Sequence, residues 1–274
     1  MSEGAENREV EPGFGRATLL HLAGRVARGA DRALTALTAT LLVLVLLFAC
    51  YALWDTWRIY DGAGIGEDLL KYKPTPDDTE SLAELMKINP DVCAWLTIDG
   101  TSIDYPVVQG DDNFEYLNTD VRGDFSLSGS VFLDCRNARG FTDSYSLVYG
   151  HHMEGGAMFG TLDSFVEEGF FDEHAEGLLF LPDRALGIEV FALVKTDAYD
   201  EQFFNPGDLQ EAEMEALVER VKGDAMRFRD IGIDRSDKII ALSTCADAGT
   251  AGRTVVLGRL SELEANEGEV KEKE

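Results

Sequence analysis

Between Ala33 and Trp54 the chain carries no charged residue, and Leu41–Cys50 is almost unbroken aliphatic. At about 1.5 Å per residue, such a run makes roughly 33 Å of helix, enough to cross the ~30 Å hydrocarbon core of a bilayer. Arg16, Arg25, Arg28 and Arg32 precede it, whereas Asp55, Asp61, Glu67 and Asp68 follow it. Basic flanks stay on the cytosolic side, so the expectation is a single-pass anchor with the amino terminus inside and the rest of the chain outside the cell membrane. A cleaved signal peptide is the rival reading. The long region before the run and the interfacial pair Trp54 and Trp57 favour a retained anchor. Phe48 is too bulky for a lipoprotein cleavage site ending at Cys50, which reads instead as an apolar membrane residue.

The formal charge of -27 over 274 residues lies entirely beyond this segment, because residues 1–54 hold five acidic and five basic side chains. A surface with that excess of carboxylates repels phosphate backbones and argues against a nucleic-acid partner. It suits a cationic amine substrate, and it serves solubility equally well. Cys50, Cys93, Cys135 and Cys245 show no close pairing of the kind used by zinc knuckles or dithiol redox sites. There is no His-Glu-x-x-His pattern either, so neither a metal nor a cofactor is expected.

The expected organisation is a cytosolic tail (1–32), a membrane segment (33–54) and a linker leading into amino-terminal helices (55–80). A catalytic domain (81–261) and an acidic tail (262–274) follow. Leu82, Leu85 and Met86 give Ser81–Lys87 a helical pattern that Asn89-Pro90 ends. From Val92 the pattern becomes strand-like. Val92–Ile98 and Ile103–Val108 flank an Asp99-Gly100 turn, and further strands are expected at 129–133, 145–149, 177–181, 188–196, 238–243 and 253–260. That many short strands separated by Gly/Asp turns predict a mainly β domain closed into a barrel. A short helical run is expected over Met158–Phe165. A longer helix is expected over Asp208–Val221, with Asp208 as its cap and Glu211 completing a reciprocal box.

The candidate chemistry lies where strands end. Cys245 follows the run Ile239–Thr244, so a sheet would hold the residues before it rigidly while its sulfur stays accessible. His151 follows Leu147–Gly150 in the same manner. An imidazole beside a thiol can take its proton and later return one to a leaving amine. His21 lies on the other side of the expected membrane, His152 should point elsewhere, and His174 sits in an acidic surface segment. Arg253 opens the last strand, and antiparallel pairing of the last two strands would bring it back beside Cys245. Its five-donor fork suits a carbonyl oxygen that is gaining charge.

In this order the motifs resemble the class B sortases, cell-surface cysteine transpeptidases of Gram-positive bacteria. The resemblance runs from about Leu82 to Leu260. It rests on Asn89–Leu96, Ile103–Gly110, Asn113 with Tyr116-Leu117, and Gly129–Asp134. It continues through Tyr149-Gly150-His151-His152-Met153 with Met158-Phe159-Gly160, then Leu242-Ser243-Thr244-Cys245, then Arg253 with Val255-Val256. Departures from the family pattern are Ala241 for a usual Thr, His152 for a common Asn, and Cys135 at an often aromatic position. The resemblance implies a sortase-like closed β-barrel with peripheral helices, preceded by a transmembrane helix. It also implies Cys245 as nucleophile, His151 and Arg253 as its partners, and Ser243, Thr244 and Tyr149 as substrate contacts. The implied partners are an exported protein bearing a carboxyl-terminal sorting motif, an amine acceptor on a peptidoglycan precursor or a pilin, and the bilayer, with a monomeric catalytic domain. The alternatives are a cysteine endopeptidase resolved by water and an anchored scaffold without catalysis.

Overall fold

The computed structural model describes residues 14–64, 66–76, 78–244 and 252–263. It comprises two compact units, Met1–Trp57 and Arg58–Glu274. The first is dominated by one helix, α1 (Phe14–Ala63), whose stretch Thr18–Arg58 is long and apolar enough to cross a membrane. The apolar run is therefore part of a longer helix that continues back through the basic residues without a break, since Gly24 and Gly29 alone do not interrupt it. Thr38 and Thr40 return their hydroxyls to the carbonyls of Leu34 and Ala36, both at 2.9 Å. No hydroxyl of that pair then needs water, which suits a lipid surrounding.

The second unit is built on a ring of strands. In chain order these are β1 (Val92–Ile98), β2 (Asp104–Val108), β3 (Val131–Leu133), β4 (Tyr145–Gly150), β5 (Glu176–Phe180) and β6 (Ala185–Asp197). A two-residue strand β7 (Arg227–Phe228), then β8 (Lys238–Thr244) and β9 (Gly252–Glu262), complete the set. Hydrogen bonding runs β5-β1-β2-β3-β4-β8-β9-β6, and β6 returns to β5, which closes an eight-stranded barrel; β7 is added to the outside of β6. Closure leaves none of the eight as a free edge.

Side-chain alternation divides each strand between two environments. Leu96, Ile98, Val107, Val148, Leu193, Ile240, Leu242 and Val256 fill the barrel interior. On the opposite face, Leu147, Val194, Ile239, Ala241, Val255 and Leu257 lie under α5 (Glu211–Asp224), which contributes Met214, Leu217, Val218 and Val221. After a short helix α2 (Glu67–Leu70) comes α3 (Glu80–Ile88), and Trp95, Val108 and Phe132 pack with its Leu82 and Leu85. Strands covered on both faces read as continuous apolar runs, which is why Ile239–Leu242 shows no alternation in sequence. A bulge in β6 between Val190 and Ala192 lets Phe191 and Ala192 both join the cluster beneath α5.

Two expected helices are corrected. The carboxyl-terminal helix starts at Glu211, with Gln210 rather than Asp208 at its cap, and the Gln210 N–H donates to Glu213 Oε2 at 2.8 Å. The residues before it are held extended: Gly207 exchanges backbone hydrogen bonds with Tyr145 at 3.1 and 3.0 Å, and the Leu209 N–H donates to Ser144 Oγ at 2.8 Å. Over Met158–Phe165 the run is a 3-10 segment spanning Gly160–Val166, with a separate short helix α4 (Glu168–Glu173) after it.

A buried carboxylate fastens the turn after β3. Asp134 is fully enclosed and accepts hydrogen bonds from Arg136 Nε at 2.8 Å, Arg136 Nη2 at 2.7 Å, Asn113 Nδ2 at 2.9 Å and the Tyr149 hydroxyl at 3.1 Å. Burial works to raise its pKa, but the bonds from Arg136 and Asn113 outweigh burial and hold it below the usual carboxylate value. Replacing Asp134 by Ala strands four side-chain donors from three residues, so Asp134→Ala should lose on the order of 2–3 kcal/mol in denaturant unfolding. A loss under about 0.5 kcal/mol would show that water replaces the carboxylate at no cost.

Candidate active site

The site is set by three adjacent strands. β4 and β8 run parallel in unbroken register from Tyr145 opposite Ile239 to Gly150 opposite Thr244. Both therefore stop at the same level, with His151 following one and Cys245 the other. β9 runs antiparallel to β8, pairing Val255 with Ser243, and the Thr254 N–H donates to Thr244 Oγ1 at 3.2 Å. Arg253, the next residue toward the start of β9, pairs with Thr196 of β6 on its other side. His151 and Arg253 thus reach the same barrel end as the residue that precedes Cys245; Cys245 itself lies outside the described residues.

His151 is held on several sides. Its carbonyl accepts the Phe159 N–H at 2.9 Å, and the Leu117 main chain lies close enough to its ring to favour the charged form. Burial lowers its pKa below the ordinary 6.5, against the opposing effect of the Leu117 contact. At neutral pH the ring is mostly uncharged and able to accept a proton. Gly150 has a steric reason: a Cβ there would sit 2.6 Å from the Phe159 ring. Arg253 is half-buried, and its Nη1 donates to the Gly252 carbonyl at 3.1 Å.

The expected substrate contacts lie in the same strands, with their polar atoms engaged inside the protein. Ser243 and Thr244 are buried, and the Ser243 hydroxyl donates to the Thr244 carbonyl at 3.2 Å. Tyr149 gives its hydroxyl to Asp134, and its ring lies parallel to Phe204 at 6.4 Å between centroids. His152 pairs with Asp163 at 2.8 Å. His174 is tied to the Asp99 carbonyl at 2.8 Å and packs on Phe170 at 4.1 Å, so it braces the turn between β1 and β2. Sequence reasoning missed Asp163 and the Leu117 main chain. The first carries no motif, and the second acts through an atom every residue has. Among the described residues no cluster of three or more His, Cys, Asp or Glu is arranged to hold a metal ion.

The remaining thiols differ in setting. Cys93 is buried in β1, its sulfur 3.4 Å from the Val107 carbonyl, and burial pushes its pKa up to about 12. Cys135 stands in a turn after β3 rather than in a strand, and is half-buried. Burial first, and then the Asp134 charge, raise its pKa above the ordinary thiol value.

The closed eight-stranded barrel, with His151 and Arg253 at one of its ends, is of the sortase type, and the comparisons agree with that fold. No protein-family model matches the chain. Sortase B of Listeria monocytogenes is 31% identical over 183 residues, covering 66% of this chain and 74% of the relative. Sortase B of Staphylococcus aureus is 32% identical over 185 residues, covering 64% and 72%. Among solved structures, a Streptococcus pyogenes class B sortase involved in pilus biogenesis is 44% identical, with a TM-score of 0.60 over 65% of this chain and 97% of that one. A mutant Clostridium perfringens sortase B is 30% identical, with a TM-score of 0.66 over 72% and 96%. This chain belongs to the class B sortases, a family of cysteine transpeptidases.

Two measurements test the local chemistry. With both pKa values raised, Cys93 and Cys135 are protonated at neutral pH, so among the three thiols outside α1, alkylation of the native protein at pH 7 should be dominated by Cys245. Equal labelling of all three counts against the assignment. For His151, an NMR titration in Cys245→Ala should give a midpoint below 6.5. Because the folded pKa is the depressed one, the associated stability is present above 6.5 and lost as pH falls through the folded value. A midpoint above 6.5 would mean that the surroundings favour the charged ring.

Proposed function

We propose that this chain is a membrane-anchored sortase that cleaves a short sorting motif near the carboxyl terminus of an exported protein and joins the product to an amine. The anchor is α1, with its basic end in the cytosol and the barrel outside the membrane. The observation that carries the chemical reading is the register of β4, β8 and β9, which brings the ends of β4 and β8 and the start of β9 to one end of the barrel, at His151 and Arg253. Relatives support the partners: S. aureus sortase B has been solved as a substrate complex, and a sortase B has been solved with triglycine.

In the proposed reaction Cys245, deprotonated with His151 as its partner, attacks the carbonyl carbon of the scissile peptide bond. The C–N bond breaks, the acyl group stays on sulfur as a thioester, and His151 returns a proton to the departing amine. An acceptor amine on a peptidoglycan precursor or a pilin then attacks the thioester, forming an amide and releasing the thiol. Arg253 donates to the carbonyl oxygen as it becomes negative. Ser243, Thr244 and Tyr149 form the strand-end floor beneath the bound motif.

Mass spectrometry of the enzyme after incubation with a peptide library tests this reading. A thioester adduct on Cys245 is expected, absent in Cys245→Ala, with amide product rising when an amine is added. Hydrolysis unaffected by amine would instead assign an endopeptidase. Arg253→Lys keeps the charge but loses the planar fork, so it should resemble Arg253→Ala, with a roughly 10²-fold fall in kcat/KM. Near-normal acylation by Arg253→Lys would show that charge alone suffices.

A further inference from the structure

One carboxylate outside the three motifs is bonded to residues beside them. Asp163 lies on the 3-10 segment Gly160–Val166. Its Oδ2 is 2.8 Å from His152 Nε2, and its Oδ1 accepts the Thr254 hydroxyl at 2.6 Å. Thr254 in turn donates its N–H to Thr244 Oγ1 at 3.2 Å. His152, Thr254 and Thr244 are the immediate chain neighbours of His151, Arg253 and Cys245. Thr254 is buried at 6% exposure, so its hydroxyl depends on this partner rather than on water. Lys195, opposite Thr254 in the β6–β9 pairing, adds an attractive charge to the same carboxylate.

We propose that Asp163 is a positioning residue: it ties the histidine loop to the start of β9, and through Thr254 to the end of β8, fixing the spacing of the three candidate catalytic residues. The proposal rests on the sortase reading of those three. β4 and β8 are locked together by main-chain bonds up to Gly150 and Thr244. Past Gly150, the histidine loop is joined to β9 by the side chain of Asp163, through His152 and Thr254. A misplacement of a fraction of an ångström between thiol, imidazole and guanidinium costs rate without costing ground-state binding. The carboxylate is half-exposed and does not itself point to a substrate role.

Asp163→Ala removes both bonds. Asp163→Asn retains an acceptor for Thr254 and a donor for the other His152 tautomer. Thr254→Val cuts the link on the β9 side alone. Asp163→Ala should lower kcat for acylation about 10-fold or more, with KM within about twofold. Asp163→Asn should recover to within about threefold of the parent. Thr254→Val should resemble Asp163→Ala, and the double variant should be no worse than either single one, as expected for members of one chain of contacts. Circular dichroism and thermal melts verify that each variant folds.

A substrate-free readout accompanies the kinetics: the pH dependence of Cys245 alkylation by iodoacetamide. In Asp163→Ala its midpoint should rise by about half a unit or more, because the imidazole no longer sits where it stabilises the thiolate. A kcat within about twofold of the parent, a loss confined to KM, or fully additive single variants would overturn the proposal. If the parent forms no thioester with any peptide, the transpeptidase reading fails, and the alkylation profile alone decides the role of Asp163: an unchanged midpoint overturns it.

Discussion

The parallel pairing of β4 with β8 governs the geometry of this protein. Six consecutive residue pairs hold the two strands in one register, and each strand is bonded on its other side, to β3 and to β9. Neither strand can slide without breaking two ladders, and a slip of one residue would exchange the barrel interior for the surface under α5. Because the partners are nearly a hundred residues apart in sequence, the pairing is stable only once the barrel encloses it. The chemistry is then placed by counting: one residue beyond each strand end stands a residue of the candidate site.

Much of this was legible in the chain. Strand positions followed from short apolar runs bounded by Gly, Asp and Asn; Val92–Ile98 was located to the residue. The structure brings His151 and Arg253 to the same barrel end, and the sequence pattern already placed both at strand ends. The parts that escaped reading are those set by tertiary pairing. Asp208 has a good capping side chain, yet Gly207 is already committed to Tyr145, so the helix waits until Gln210. The turn that carries Cys135 past the end of β3 is likewise set by the Asp134 cluster.

The polar contacts around the site show the same limit. Asp134 and Asp163 are two of 51 acidic residues in the chain, and although Asp134 closes a family motif, its charge alone does not separate either from a solvated surface. What distinguishes them is the company that folding supplies: Arg136, Asn113 and Tyr149 for one, and His152 and Thr254 for the other. The departure from the family pattern at His152 acquires a physical context here, since that ring is the partner of Asp163.

The order of strands along the chain also bears on synthesis. The ring is sealed by β9, the last strand to be made, which lies between β8 and β6. Until β9 is available, β8 and β6 each present an unpaired edge and the arginine has not arrived. A nascent or prematurely terminated chain therefore lacks both a closed barrel and a complete reactive centre. An unfinished copy carries open strand edges, which expose it to proteolysis or aggregation.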